Sequence, residues 1–144
     1  ATELGAASIQ PLVCERSVLR VAGERALRKA THWRAVAVAA CEQCGRNRVP
    51  QLAEPMKLGD WLRVLEGRAG ARLLLSTAAA LPWPPVPHNS PEVIVLSGPE
   101  GGFTAAEDAA ARAAGFSGHS LGARVLRADT APLAALAWIA LESG

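Results

Sequence analysis

Apolar runs alternate with amphipathic stretches along the whole chain. Residues 71–76, 92–97 and 116–121 have the length and character of strands, and the unbroken apolar run at 92–97 is typical of a strand buried on both faces of a parallel sheet. Four longer stretches carry apolar side chains at helical spacing: residues 24–44, 58–66, 104–114 and 130–142. Strands and helices in this order predict an α/β domain, with a mostly parallel sheet flanked by helices.

Four further segments belong to the edges of this fold. Residues 7–13 predict a short strand, and residues 47–55 predict a loop or another short strand. Prolines are so frequent within residues 81–91 that this segment can form neither a helix nor a central strand, and we expect a surface connection. Residues 2–5 resemble the last turn of a helix closed by a glycine, which predicts that the chain is a fragment of a longer protein.

Two of the predicted helices have distinctive faces. The helix at residues 24–44 carries basic side chains three or four positions apart, at Arg25, Arg28, Lys29 and His32. This stripe is either a solvated helix face or a surface that follows the phosphates of a nucleic acid. The last helix is apolar nearly all round, at Leu133, Leu136, Ala137, Ile139 and Ala140. We expect it to be buried in the core or against a second subunit.

Composition narrows the class of protein only a little. The 144 residues suit one domain, and the formal net charge of +2 permits nucleic-acid binding without predicting it. The three cysteines do not form a disulfide framework, and neither a signal peptide nor a membrane span is evident, so we expect a cytoplasmic protein. Cys41 and Cys44 close a predicted helix and the histidines are scattered, so we expect no metal site.

The strongest local signal for a ligand is the glycine loop Gly98-Pro-Glu-Gly-Gly102, which follows a predicted buried strand. Open α/β sheets place their ligand crevices at the carboxyl ends of strands, and glycines there let a ligand approach the backbone. A tight structural turn would explain these glycines nearly as well. The loop matches neither a P-loop nor the dinucleotide fingerprint, so ATP hydrolysis and dinucleotide binding are disfavoured.

A second glycine loop follows the next predicted strand, at Leu121-Gly-Ala-Arg-Val-Leu-Arg127. Its two arginines bracket an apolar pair, so the loop could line a mixed polar and apolar pocket. Alternatively, one arginine is solvated and the other pairs with Asp129. No spacing indicates a nucleophilic triad or dyad. The residues alone therefore predict an α/β domain with a ligand crevice between two glycine loops.

The motifs of the chain also resemble, in order, those of one family. The segments that carry the resemblance are Glu42-Gln-Cys-Gly-Arg-Asn-Arg-Val-Pro50, Leu96-Ser-Gly-Pro-Glu-Gly-Gly102 and Leu121-Gly-Ala-Arg-Val-Leu-Arg-Ala-Asp-Thr-Ala131. They are similar to the signatures of the bacterial 16S ribosomal RNA uracil-N3 methyltransferases, which belong to the SPOUT superfamily. Residues 2–5 and 11–17 resemble the opening pattern of that family, so the resemblance covers essentially all of residues 1–144.

This resemblance implies a fold, a cofactor and partners. The fold would be a parallel α/β sheet with a C-terminal deep trefoil knot, a rare exception to the rule against threading. The knot would form the pocket for S-adenosylmethionine, and the protein would be a homodimer whose active sites lie near the subunit interface. The implied reaction is methylation of uridine N3 in 16S rRNA, presented as free RNA or in the small ribosomal subunit.

The resemblance also implies the residues of the site. Backbone groups of the two loops would bind the cofactor, at Leu96, Gly98, Gly101, Leu121, Gly122 and Leu126. Uracil N3 carries a proton at neutral pH, so a group must accept that proton or stabilise the negative charge on O2 and O4. We expect Arg46 and Arg124 to stabilise the charge, and Glu100 at the crevice rim, or Asp129, to accept the proton.

The chain departs from the family pattern in two respects. Family members usually carry Thr-Glu-Thr where this chain has Ala128-Asp129-Thr130, and they have an N-terminal PUA-like RNA-binding domain that is absent from residues 1–144. We therefore expect an N-terminally truncated domain that binds the cofactor better than it binds RNA. Two alternatives stay open: another SPOUT reaction such as ribose 2′-O methylation, and a non-catalytic RNA-binding or ribosome-assembly module. A general dimerisation domain would leave both glycine loops unexplained.

Overall fold

The computed structural model describes residues 1–17, 24–77, 81–85 and 90–143, with the backbone alone at 24–27 and 143. Its strands are β1 (Ser8–Ile9), β2 (Leu12–Val13), β3 (Gln51–Leu52), β4 (Met56–Lys57), β5 (Ala71–Leu75), β6 (Leu81–Pro82), β7 (Val93–Leu96) and β8 (Ser117–Ser120). Its helices are α1 (Glu24–Cys44), α2 (Leu58–Val64), α3 (Ala105–Ala113) and α4 (Thr130–Ser143). The predicted alternation of strands and helices is confirmed.

The main sheet has four strands in the order β6-β8-β5-β7, and every pairing in it is parallel. Parallel strands end at the same edge of a sheet, so the carboxyl ends of β5, β7 and β8 lie side by side. The proline-rich segment contributes β6 at an outer edge, which agrees with its exclusion from the sheet interior. The structure corrects one expectation, because β7 is also an edge strand: its residues are half-buried, apart from the buried Leu96.

The amino-terminal strand predicted at residues 7–13 is divided into two. β1 pairs with β3 and β2 pairs with β4, both in parallel register. The break falls at Gln10 and Pro11, because proline has no N–H to donate to a ladder. The Gln10 side chain donates instead to the Glu54 carbonyl oxygen at 2.7 Å. The short strand β4, which leads directly into α2, was not expected from the sequence.

The turn at the start of the chain has the hydrogen bonds that close an α-helix. The Ala6 N–H donates to the Ala1 carbonyl oxygen and the Gly5 N–H donates to that of Thr2, both at 3.1 Å. Gly5 has a φ of +91°, which suits glycine at the C′ position. The predicted geometry of residues 2–5 is confirmed.

Helix α1 packs against β3 through one narrow face. Ala37 and Cys41 are buried on that face, and Trp33 is half-buried. Of the predicted basic stripe, Arg28 and His32 are exposed and Lys29 is half-buried, while the side chain of Arg25 lies outside the described residues. Most of the helix surface therefore faces away from the main sheet.

The hydrophobic core lies between the main sheet, α2 and α3. Its most buried members share an exposure of 5% or less and are Leu58, Leu62, Leu65, Leu74, Leu96, Ala111 and Phe116. Trp61 of α2 packs on Phe116 with their ring centroids 5.9 Å apart. Leu74 and Leu96, on neighbouring strands, are fully buried, so the core reaches the strand ends that position the two glycine loops.

Arg72 on β5 ties both core helices to the sheet. Its guanidinium donates to the carbonyl oxygens of Leu65, after α2, and of Ala114, after α3. The last carbonyls of a helix have no partner within it and carry partial negative charge, so a cation is favourable there. A half-buried arginine on a strand thereby satisfies the ends of two helices.

Helix α3 begins with a capping box. Thr104 accepts a hydrogen bond through its hydroxyl oxygen from the Glu107 N–H, and the Glu107 carboxylate accepts from the Thr104 N–H at 2.9 Å. The glycine loop therefore passes into the helix through a turn that has its own hydrogen bonds.

We expect Thr104→Ala to lower the free energy of unfolding by about 1 kcal/mol, because the Glu107 N–H loses its acceptor. Urea denaturation of the parent and variant chains measures the difference. Thr104→Ser keeps the hydroxyl and should restore most of the lost stability. Equal midpoints for the alanine and serine variants would contradict this role.

Helix α4 is not buried as a whole, contrary to one reading of its apolar sequence. Ala135 is fully buried, and the helix contacts β7. Three large apolar side chains remain exposed, by 42% at Leu133, 46% at Trp138 and 83% at Leu141. The expectation that the core covers this helix is therefore wrong for these residues, and a second subunit remains the other expected partner.

Candidate active site

A cleft of about 940 Å³ opens at the carboxyl ends of β5, β7 and β8. Residues from three segments form its walls: Leu75, Ser76 and Thr77 after β5, residues 97–105 after β7, and residues 119–128 along the end of β8 and beyond, without Gly122 and Ala123. Its volume is in the range of small-molecule sites in proteins. The predicted crevice between two glycine loops is therefore a real cavity of the fold.

The first glycine loop is shaped by close packing as well as by a turn. A Cβ atom at Gly98 would lie 3.1 Å from ring carbons of Phe103, which is closer than side chains normally tolerate. Gly102 has a φ of +69° and donates its N–H to the Pro99 carbonyl oxygen at 2.8 Å. The tight-turn interpretation is therefore confirmed, and the ligand interpretation stays a prediction for a loop that also lines the cleft.

A turn from the start of the chain holds this loop from outside. Arg16 donates through its guanidinium to the Gly101 carbonyl oxygen at 3.0 Å, and the Glu15 N–H donates to the Glu107 carboxylate at 2.8 Å. Gly101 also has no room for a side chain, since its Cβ would lie 3.1 Å from the Cβ of Arg16. Arg16 lines the cleft. The sequence had placed it only within the segment 11–17 that resembles the family's opening pattern, without a role at the site.

The second glycine loop carries the exposed cations of the site. Arg124 and Arg127 both line the cleft, and Val125 between them is 79% exposed. Within the described residues, neither arginine forms an ion pair with Asp129, whose carboxylate instead accepts from the Thr130 hydroxyl at 3.2 Å. The alternative in which Asp129 neutralises one arginine is therefore not observed.

Most of the predicted site residues come together around the cleft. Gly98, Glu100, Gly101, Leu121, Arg124 and Leu126 line it, and Gly122 lines an adjoining pocket of about 250 Å³. Leu96 lies behind the cleft, with a fully buried side chain. Glu100 lines the cleft and is exposed.

Arg46 is not brought to the cleft. Its guanidinium donates to the carbonyl oxygens of Thr2 and Ala6, in the latter case at 3.1 Å. Arg46 therefore stabilises the first turn of the chain within one subunit. Its residue type and motif were visible in the sequence, but its contacts depend on a chain segment 40 residues away.

The cysteines do not build a second site. All three are free, and burial raises the pKa of the Cys14 thiol, as does the nearby Glu107 carboxylate, while a hydrogen bond with Ser17 lowers it. Among the described residues no group of three or more histidine, cysteine or acidic side chains could hold a metal ion. In the same ranges, no helix is long and apolar enough to cross a membrane.

Comparison with known proteins gives consistent relatives. A family model for an RNA methyltransferase domain matches residues 1–140. The ribosomal RNA small subunit methyltransferase E of Synechocystis is 39% identical over 142 residues, which are 96% of this chain and 46% of that protein. The protein of the same name from Bacillus subtilis is 34% identical, over 99% of this chain and 58% of its own length.

Two similar solved structures contain S-adenosylmethionine. A methyltransferase from Legionella pneumophila has a TM-score of 0.89 and 38% identity, covering 96% of this chain and 56% of that one. A ribosomal RNA small subunit methyltransferase E from Neisseria gonorrhoeae has a TM-score of 0.86 and 38% identity, covering 94% of this chain and 56% of that one. The chain thus spans about half the length of these relatives.

Proposed function

We infer from these matches that the chain belongs to the RNA methyltransferase domain family. We propose that its cleft binds S-adenosylmethionine and that the whole protein methylates N3 of a uridine in 16S rRNA. The observation that carries the proposal is the cleft itself. It lies where three parallel strands end and is bounded by two glycine loops, so backbone N–H and C=O groups can reach a ligand directly.

The residues around the cleft suit this cofactor. Leu121 and Leu126 offer apolar surface for an adenine ring. The glycines of the two loops leave space beside the backbone, at Gly98, Gly101 and Gly122. Leu96 supports the first loop from the core. S-adenosylmethionine supplies a methyl group on a positively charged sulfur. A carboxylate at the rim, Glu100, would favour that charge.

The reaction forms a bond between the methyl carbon and N3, breaks the bond from sulfur to that carbon, and releases the N3 proton. Holding the base in line with the methyl group can supply much of the catalysis. As the proton leaves, negative charge spreads onto O2 and O4 of uracil. We propose that Arg124 stabilises this charge and that Glu100 or Asp129 accepts the proton.

Arg46 can share this task only if another subunit brings it to the cleft, because within one chain its guanidinium is engaged by Thr2 and Ala6. We therefore propose a homodimer, supported by the exposed apolar residues Leu133, Trp138 and Leu141 on α4. The C-terminal deep trefoil knot is likewise a proposal from the family resemblance.

Trp138→Lys should shift a dimer towards monomer, because a charged side chain would replace a half-exposed aromatic one in the proposed interface. We expect the dimer dissociation constant to rise about 30-fold or more, the effect of losing about 2 kcal/mol. Sedimentation equilibrium measures it. Val64→Lys on α2, a position 57% exposed, is the matched control and should leave the mass unchanged. A parent chain that is monomeric at all concentrations would contradict the proposed dimer.

The substrate of the whole protein is proposed to be 16S rRNA, either free or in the small ribosomal subunit. Among the residues that the structure describes, the cations at the cleft are Arg16, Arg124 and Arg127, which can contact phosphates. An N-terminal RNA-binding domain and a cytoplasmic location stay predictions from the sequence.

The test of this function is identification of the methylated nucleoside. The full-length protein is incubated with small subunits from cells that lack the modification, together with isotopically labelled S-adenosylmethionine, and the digested RNA is analysed by mass spectrometry. We expect the label in 3-methyluridine. Label in a 2′-O-methylnucleoside would replace the proposed reaction by ribose methylation, and no label at all would favour a non-catalytic module.

A further inference from the structure

The wall of the cleft contains one buried histidine that the proposed chemistry does not use. His119 on β8 lines the cleft, but only 6% of it is exposed. Nδ1 lies 2.8 Å from the Pro82 carbonyl oxygen, and Nε2 lies 2.8 Å from the Ser117 hydroxyl oxygen. Both ring nitrogens therefore have partners within the chain, and the ring is held in one orientation.

The partners determine which nitrogen carries the proton. A carbonyl oxygen can only accept a hydrogen bond, so Nδ1 of His119 must donate to Pro82. In a neutral ring Nε2 then accepts from the Ser117 hydroxyl. The edge of the Trp83 ring system packs against His119, with centroids 6.0 Å apart and planes inclined by 73°.

His119 has contacts with two neighbouring strand ends. Its carbonyl oxygen accepts from the Ser76 N–H at 3.1 Å, just after β5, while its ring donates to Pro82 in β6. Ser76 and Thr77 line the cleft, as does His119 itself.

The edge strand β6 has few other attachments. It contains two residues, it pairs with β8 alone among the described strands, and Pro82 has no N–H to donate to the ladder. Among the described residues, the side-chain hydrogen bond from His119 to the Pro82 carbonyl oxygen adds a second kind of attachment to this short ladder.

We propose that His119 is a positioning residue for the cofactor: its ring bond to Pro82 and its carbonyl bond to Ser76 fix the end of β8 and the residues after β5, which together form this wall of the cleft. The inference rests on the proposed binding of S-adenosylmethionine in this cleft. His119 does not touch the reacting atoms, so its loss should weaken cofactor binding and leave the chemical step intact.

His119→Phe and His119→Asn separate this role from packing. Phenylalanine keeps an aromatic ring of similar size and removes the hydrogen bonds to Pro82 and Ser117. The asparagine amide can still donate to the Pro82 carbonyl oxygen. We expect calorimetry to show S-adenosylmethionine binding weakened about tenfold in the phenylalanine variant and within about threefold of the parent in the asparagine variant. Ser117→Ala leaves the bond to Pro82 in place and should also bind within about threefold.

Steady-state kinetics of the full-length protein provide a second readout. In His119→Phe we expect the KM for S-adenosylmethionine to rise about tenfold with kcat unchanged, because uniform binding is lost and the chemistry is not. Equal cofactor affinity in the parent and His119→Phe, or equal weakening in the phenylalanine and asparagine variants, would overturn the proposal.

Nitrogen NMR of the His119 ring tests the hydrogen bond without any cofactor and does not depend on how a variant folds. A proton on Nδ1 is expected, and an unprotonated Nδ1 would overturn the proposal. If the parent chain shows that proton but binds no S-adenosylmethionine, the proposed function has failed and the positioning role falls with it. If it binds the cofactor and His119→Phe binds equally well, only the positioning role has failed.

Discussion

Gly98→Val will weaken S-adenosylmethionine binding by about 5-fold to 150-fold, the effect of an overpacking cost of about 1–3 kcal/mol. The reason is the position of the new side chain. Its Cβ would lie 3.1 Å from Phe103, so either the ring or the loop must move, and both line the cleft. Calorimetric titration of the parent and variant chains measures the change.

Gly59 provides the matched control for this substitution. It lies in α2, away from the cleft, and a Cβ there would meet nothing within 4 Å. Gly59→Ala should therefore bind S-adenosylmethionine as the parent does. Unchanged affinity in Gly98→Val would show that the cofactor does not depend on the first glycine loop.

Arg124→Ala will lower kcat by about 10²-fold to 10³-fold, as does the loss of one donor that stabilises negative charge in a transition state. Arg124 lines the cleft with an exposed side chain, and within the described residues it forms no ion pair that would hold it elsewhere. Cofactor affinity should change little, because the proposed partner of Arg124 is the uracil base. Methyl transfer to small subunits by the full-length protein measures kcat.

Two further variants make this result specific. Arg124→Lys keeps the positive charge and should recover part of the lost rate, although it cannot donate in the same forked geometry. Arg63→Ala removes a cation from the exposed surface of α2, where the arginine pairs with Asp60, and should leave kcat unchanged. A wild-type rate in Arg124→Ala would remove this residue from the proposed mechanism and leave charge stabilisation to Arg46.

Features set by neighbouring residues could be predicted from the sequence. The capping box of Thr104 and Glu107 needs only residues three positions apart, and it starts α3 where expected. Helix α1 has the predicted bounds, because its apolar spacing persists to a glycine with a φ of +75° at position 45. The glycine loop after β7 was likewise placed correctly, since an apolar run that ends in glycines is a local pattern.

Features set by distant residues could not be predicted. Arg16 reaches the first glycine loop from 85 positions away, and His119 meets Pro82 from 37 positions away. Neither contact leaves a periodic trace in the sequence. The exposure of Trp138 was also invisible, because an apolar helix looks the same in sequence whether a core or another subunit covers it.

Arg46 is a residue that the sequence identified but did not place. A motif can identify a residue as a candidate, but only the fold shows which groups it touches. In one subunit Arg46 satisfies the carbonyl oxygens of Thr2 and Ala6, and the cleft lies elsewhere. The sequence therefore showed the residue type of Arg46 but not its position in the fold.

The central claim is that the cleft between the two glycine loops binds S-adenosylmethionine, and amide NMR tests it most directly. The chain labelled with ¹⁵N is titrated with the cofactor, and the backbone amide signals are followed to saturation. We predict saturable shifts concentrated at Gly98, Gly101, Gly102, Leu121 and Gly122, with little change along α1. Shifts confined to residues outside the cleft, or no shifts at all, would contradict the account.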